Sequence, residues 1–195
     1  MKSVFALSAL ALLGCIFTSS AQATMLEQWD TRRLTKEAKW IQRGEITSMW
    51  SSWDPERRMI YTYIKMRVDE TLKGEKKGEV LFRQPGGQSG KLGMTVHGVA
   101  HFTRGEQALV FLKEDDDGAP SLAGMAQGKF RIFSNPKGEE TALFRAPSNV
   151  EFFTRGESGQ VRHIVTSQTE RRIPVRELVA EIRAAMLESE GLLSQ

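Results

Sequence analysis

Polar and apolar residues alternate most regularly from Met59 to Val68, where Ile60, Thr62, Ile64, Met66 and Val68 interleave with Tyr61, Tyr63, Lys65 and Arg67. A period of two places the first set on one face of a strand and the second on the other. Ile41 to Trp50 alternates less cleanly, and Asp54-Pro55-Glu56-Arg57-Arg58 between the two runs carries the proline and charge of a chain reversal. The two runs predict a long hairpin with Trp50 and Trp53 near its tip. Glu70 to Gly78 reads as a turn and Val80 to Gln84 as a short strand stopped by Pro85-Gly86-Gly87. Glycines continue through Gly90, Gly93 and Gly98, predicting a flexible connection or an irregular excursion over the sheet. Gln107 to Lys113, apolar on both faces through Ala108, Leu109, Val110, Phe111 and Leu112, is expected to be the most buried strand.

Asp115-Asp116-Asp117-Gly118 reads as a turn, Ser121 to Ala126 as a candidate strand, and Lys129 to Ser134 as a strand alternating Phe130 and Ile132 with charge. The pattern repeats weakly in Thr141 to Arg145 and Val150 to Thr154. Mixed spacings of three and four over Leu26 to Trp40 predict a short amphipathic helix. Ile173 to Leu187, with Pro174 at its start and Leu178, Val179, Ile182, Ala185 and Met186 on one face, predicts a closing helix. The expected fold is therefore mainly β, with six to eight strands and a helix at either end. Residues 24–195 are expected to form a single domain, with its core over about 34–155 and the last helix over about 174–188.

The first 23 residues change the picture of where this domain works. Met1-Lys2-Ser3, an apolar run from Val4 to Phe17 and Ala21-Gln22-Ala23 have the layout of a secretory signal peptide, with Thr24 as the expected first mature residue. A rival reading takes Leu12-Leu13-Gly14-Cys15 as a bacterial lipobox, acylated at Cys15 to give an envelope lipoprotein. Ile16 and Phe17 carry the apolar run past Cys15, which favours soluble export to the periplasm or beyond the cell. Cys15 is the single cysteine of the chain. A domain starting at Thr24 would fold in an oxidising compartment without disulfides, on packing alone, a habit that fits a bacterial exported protein.

Charge narrows the partners. The formal net charge of +3 falls to +2 without residues 1–23, and acids stand beside most basic pairs, such as Arg57-Arg58 and Lys76-Lys77. A nucleic-acid binder needs a one-sided basic stripe, so no nucleic-acid partner is expected.

Motifs are few. Gly86 to Gly93 with Gly90-Lys91 fails as a phosphate loop, because the first glycine is one residue too close and Leu92 stands where a magnesium-holding hydroxyl belongs. Ser89 fails as a nucleophile elbow, with Lys91 in place of the final glycine. His97 and His101, four apart, could share a face and bind zinc with His163, and the alternative is two polar loop residues. Asp115 to Gly118 opens like a calcium loop but meets Gln127 where the twelfth-position Glu should be, so a solvated turn is expected. Trp50 and Trp53 could anchor a protein partner or stack a sugar, or could instead pack over the end of a barrel. No catalytic set and no cofactor is expected.

Trp40-Ile41-Gln42-Arg43-Gly44-Glu45-Ile46, Val68-Asp69-Glu70-Thr71-Leu72-Lys73-Gly74, Val80-Leu81-Phe82 and then Phe102-Thr103-Arg104-Gly105-Glu106-Gln107 leading into Ala108 to Leu112 follow one another in a familiar order. Over roughly Leu34 to Phe133 this layout resembles the netrin-like module, the OB-type barrel shared with tissue inhibitors of metalloproteinases. The resemblance implies a small closed barrel and a bias toward binding. It carries no inhibitory residue over, since those inhibitors chelate zinc through an amino-terminal cysteine and Thr24 would lead here. The expected function is a non-enzymatic exported module for a protein partner. The alternatives are a zinc-dependent enzyme using the three histidines and a lipoprotein anchored at Cys15.

Overall fold

A computed structural model describes residues 24–147, 150–155, 158–164, 170–189 and 191. The stretch expected to be a leader, its expected cleavage site and Cys15 lie outside the described residues. In chain order the elements are β1 (Thr24–Glu27), α1 (Thr31–Glu37), β2 (Trp40–Asp54), β3 (Met59–Lys73), β4 (Glu79–Pro85), β5 (Gly87–Ser89), β6 (Leu92–Met94), β7 (Gln107–Glu114) and β8 (Pro120–Leu122). A 3-10 turn at Met125–Gly128 follows, then β9 (Lys129–Ser134), β10 (Glu140–Arg145), β11 (Val150–Arg155), β12 (Val161–Ile164), β13 (Glu170–Pro174) and α2 (Val175–Ser189). The protein is mainly β. Its strands outnumber the six to eight expected because β1, β5, β6, β12 and β13 are too short to show a period of their own.

The main sheet runs β13-β10-β9-β7-β2-β3-β4-β8, and β8 also pairs with β7. Hydrogen bonding from β7 through β2, β3, β4 and β8 thus returns to β7. The β4–β8 link is a single parallel bridge at Arg83 and Ser121, and β7–β8 is antiparallel. A second sheet of order β1-β11-β12 and the β5–β6 hairpin complete the strands.

Ala108 to Leu112 are fully buried, as the apolar run predicts. Alternation sends Leu109 and Phe111 into one core with Leu34, Phe130, Leu178 and Ile182, beneath the two helices. Ala108, Val110 and Leu112 enter a second core with Ile46, Ile64, Met66 and Phe82, inside the curled strands. One strand therefore serves two cores.

Several boundaries differ from the sequence reading. The helix expected over Leu26 to Trp40 is confined to Thr31–Glu37: the Asp30 carboxylate accepts from the Arg33 amide at 2.7 Å, which caps its start. Leu26 instead joins β1, because its partner strand is supplied by Val150 to Phe153, far along the chain. Trp40 begins β2. The turn expected from Glu70 starts only at Gly74, since β3 pairs with β2 as far as Ile41 and Lys73. Ser121 to Ala126 is a short strand followed by the 3-10 turn. Ile173 and Pro174 end β13, and the last helix begins at Val175. The glycine-rich connection is an excursion over the sheet that contains the β5–β6 hairpin.

The β2–β3 hairpin needs a glycine at one point. Register shifts flank Gly44, and a Cβ there would lie 1.8 Å from the Arg67 carbonyl oxygen, which is backbone and cannot step aside. Gly44→Ala is expected to cost about 3 kcal/mol or more through forced strand displacement, read as a lowered midpoint in urea unfolding.

Candidate binding surface

The outer half of the β2–β3 hairpin extends past the end of β7. β2 pairs with β7 only from Trp40 to Glu45, so Ile46 to Asp54 have β3 on one side and no ladder strand on the other among the described residues. Met49, Trp50 and Trp53 on this stretch are 37%, 45% and 41% exposed. Such exposure does not fit aromatics packed over a barrel end. Register is unbroken from Ser48 to Asp54, so Trp50 and Trp53, three apart, point to opposite faces. Trp50 stacks on Tyr63 at 5.6 Å between centroids with the planes 13° apart, holding one aromatic face rigid.

On the hairpin face of Ser51 and Thr62, opposite the Trp50 ring, the segment around β5 and β6 folds back over the hairpin. Gly86 and Gly87 take positive φ and make the crossing, and a Cβ on Gly87 would sit 2.4 Å from Ser51 Oγ. The result is a hollow of about 480 Å³ lined by Met49, Ser51 and Ile64 of one hairpin face and by Met94, Val96 and Phe102, with Trp50 at its margin and the Trp50 ring turned to the other face against Tyr63. Val99, Ala100 and His101 form its far side. The same three residues border a larger open groove of about 1290 Å³ whose floor is the outward face of β9, β10 and β13. The two hollows therefore form a divided trough, with one shared wall between them. Gln84 clamps that wall: its amide donates to the Ala100 carbonyl at 2.8 Å and accepts from the Ala100 amide at 3.1 Å.

Lys129 holds it from the other side. Its ammonium donates to Glu106 at 2.6 Å and to the His101 carbonyl, and lies 4.5 Å from the Phe102 ring centroid. Both side chains are deeply buried, at 11% and 3% exposure, and burial pushes the lysine below its ordinary pKa while Glu106 pulls it back. Arg131 also reaches Glu106, at 3.7 Å. Sequence reasoning missed this pair. The available signal was a cation at alternate positions of Lys129-Phe130-Arg131-Ile132, opposite residues that enter the core.

His97 and His101 are both exposed in the connection before β7, and the His163 backbone lies in β12, in the other sheet. Among the described residues no three His, Cys, Asp or Glu side chains come together as a metal-holding group. The acidic turn is not simply solvated, because it neutralises a buried cation. Arg83, 5% exposed, donates to Asp117 at 2.6 Å and lies 3.4 Å from Asp115, with its guanidinium 4.2 Å from the Tyr61 ring centroid. Asp117 also meets Arg57 at 3.0 Å. Gln127, at the position a calcium ligand would need, instead accepts from the Trp29 amide and donates to the Glu27 carbonyl, tying the amino-terminal segment down. No helix among the described residues is long and apolar enough to cross a membrane. The chain matches no protein-family model and no curated relative.

Removing Glu106 alone strands a buried ammonium. Glu106→Gln should cost about 3–5 kcal/mol, and Glu106→Gln with Lys129→Met should recover much of that loss in urea titrations. The Arg83 hydrogen bond holds the Asp117 carboxyl below its ordinary 3.8. A pKa lowered by folding contributes stability above the unfolded value and loses it as pH falls through the folded one. Asp117→Asn should therefore start less stable at neutral pH and lose less than wild type on acidification to about pH 3, as thermal melts would show.

Proposed function

We propose that this chain is an exported, non-enzymatic binding module on a small OB-like barrel, and that it receives a protein partner along the trough. The trough itself carries the reading. Its larger part, at about 1290 Å³, exceeds the roughly 300–1,000 Å³ typical of small-molecule pockets, and the hollow of about 480 Å³ adjoins it across the shared wall. A segment of polypeptide suits that shape better than a compact metabolite does. Trp50 at one end, braced by Tyr63, has the rigidity and exposed area of a binding anchor. The ionisable pair in the wall, Lys129 and Glu106, is engaged with itself, which favours binding over proton transfer.

The OB-like assignment is supported by pairings that pass from β4 to β8 through one parallel bridge and return from β8 to β7 antiparallel, a ring of five strands as in the five-stranded Greek-key barrel of that fold. Export is supported by the layout of residues 1–23.

The test is cross-linking of the protein starting at Thr24 in an envelope extract of the host cell. A discrete cross-linked protein is expected, with its affinity lowered about tenfold or more by Trp50→Ala and unchanged by Lys36→Ala in α1, on the helix-covered side of the sheet. A partner indifferent to Trp50, or no partner at all, would overturn the reading.

A further inference from the structure

Resting on that reading, we infer that the segment seated in the groove is acidic, an extended stretch of the partner carrying carboxylates interleaved with apolar residues. The floor is built in rows across three strands. Arg131 of β9, Leu143 of β10 and Arg172 of β13 stand opposite one another in register, and the next row is Phe133, Thr141 and Pro174. Because Phe130, Ile132, Ala142 and Ile173 turn into the core beneath the helices, alternation commits Arg131, Leu143 and Arg172 to the groove face. Two guanidinium groups thus flank a strip of apolar floor.

Charge around the groove is one-sided. Lys129, Arg131, Arg145 and Arg172 line it, and among the described residues Glu106 is the one acid in the lining. Glu106 sits at the base of the wall, 3% exposed and committed to Lys129. Glu170, at the edge, bridges Arg145 at 3.0 Å and Arg172 at 2.7 Å and offsets part of their charge. Even with Glu170 included, the cations exceed the anions. The three arginine side chains keep half or more of their surface exposed, at 51%, 71% and 68% for Arg131, Arg145 and Arg172. Arg131 is further positioned by the Phe133 ring, 5.1 Å from its guanidinium carbon. A planar fork held beside apolar floor can donate to both oxygens of one carboxylate while neighbouring aliphatic groups of the segment cover Leu143.

Nucleic acid is a poorer fit. Its bases need exposed aromatic platforms, and among the described residues the groove lining offers only Phe133, already covered by Arg131.

The probe is a labelled peptide of about ten residues alternating Glu with Leu or Val, compared with the same peptide bearing Lys for Glu, by fluorescence anisotropy with the protein starting at Thr24. The acidic peptide should bind, the basic one should not, and raising salt from about 50 to 500 mM should weaken binding about tenfold. Arg131→Glu with Arg172→Glu should abolish binding, and Arg131→Lys with Arg172→Lys should retain part of it. Both sites are exposed, so circular dichroism and melting should confirm that the variants stay folded. Should a cross-linked partner depend on Trp50 yet ignore both charge reversals and salt, the acidic inference falls and the binding-module reading stands. If neither partner nor peptide binds, both fall. Single-stranded DNA or anionic vesicles binding more tightly than the acidic peptide would also overturn the inference.

Discussion

Ala108 to Leu112 contribute side chains alternately to two cores, so neither core can be assembled without the strand the other needs. Burying Leu109, Val110, Phe111 and Leu112 contributes about 1.5–3 kcal/mol each as an upper estimate. The larger consequence is geometric. A strand with no solvent face has no tolerance for a register slip, because moving it by one residue would exchange the occupants of both cores at once. Its neighbours β2 and β9 inherit that register through the pairs Arg43 with Leu109 and Leu109 with Phe130.

From this constraint the trough follows. On one face of the sheet, α1 and α2 cover the whole span from β7 to β13 through Leu34, Leu178 and Ile182. On the opposite face the strands β2, β3, β4 and β8 curl over β7 and enclose the second core. That curl stops at β7. Ala108 and Val110 lie under it, but their in-register neighbours Arg131 and Lys129 on β9 lie beyond it, at the edge of the uncovered wing. The groove is therefore the continuation of a core face that no described residue covers, and its charged lining is what keeps such a face compatible with water. The wall between the groove and the hairpin hollow is held by polar groups, Gln84 on one side and the Lys129–Glu106 pair on the other.

Charge pairing elsewhere follows the same logic of burial first. Arg83 stands in a strand whose other face sends Phe82 into the core, and the closing of β8 against β4 buries it. Asp115 and Asp117 then complete the site from a turn that, taken as sequence, reads only as soluble punctuation. Gln127 acts in the same way for the amino-terminal segment, satisfying backbone groups of Glu27 and Trp29 that would otherwise be buried without partners.

Local pattern was enough for the elements whose partners are adjacent in the chain. The alternation of Ile60, Ile64 and Met66 located the long hairpin, the two-sided run from Ala108 located the central strand, and Leu178 and Ile182 located the last helix, because each signal is a periodicity that neighbouring residues carry themselves. Leu26 read as helix because its strand partner lies beyond residue 149, and Glu70 read as turn because only pairing to β2 extends β3 to Lys73. For the site, Trp50 and Trp53 stood out by residue type, but their opposite faces depend on register. Lys129, Arg131, Arg145 and Arg172 looked like ordinary surface charge. What the sequence by itself determined was a mainly β chain with helices at its ends and an export-type leader pattern. Which faces were left uncovered, which charges were buried together and which were gathered into one groove were decided only by tertiary structure, since these depend on contacts between residues distant in sequence, which no local period records.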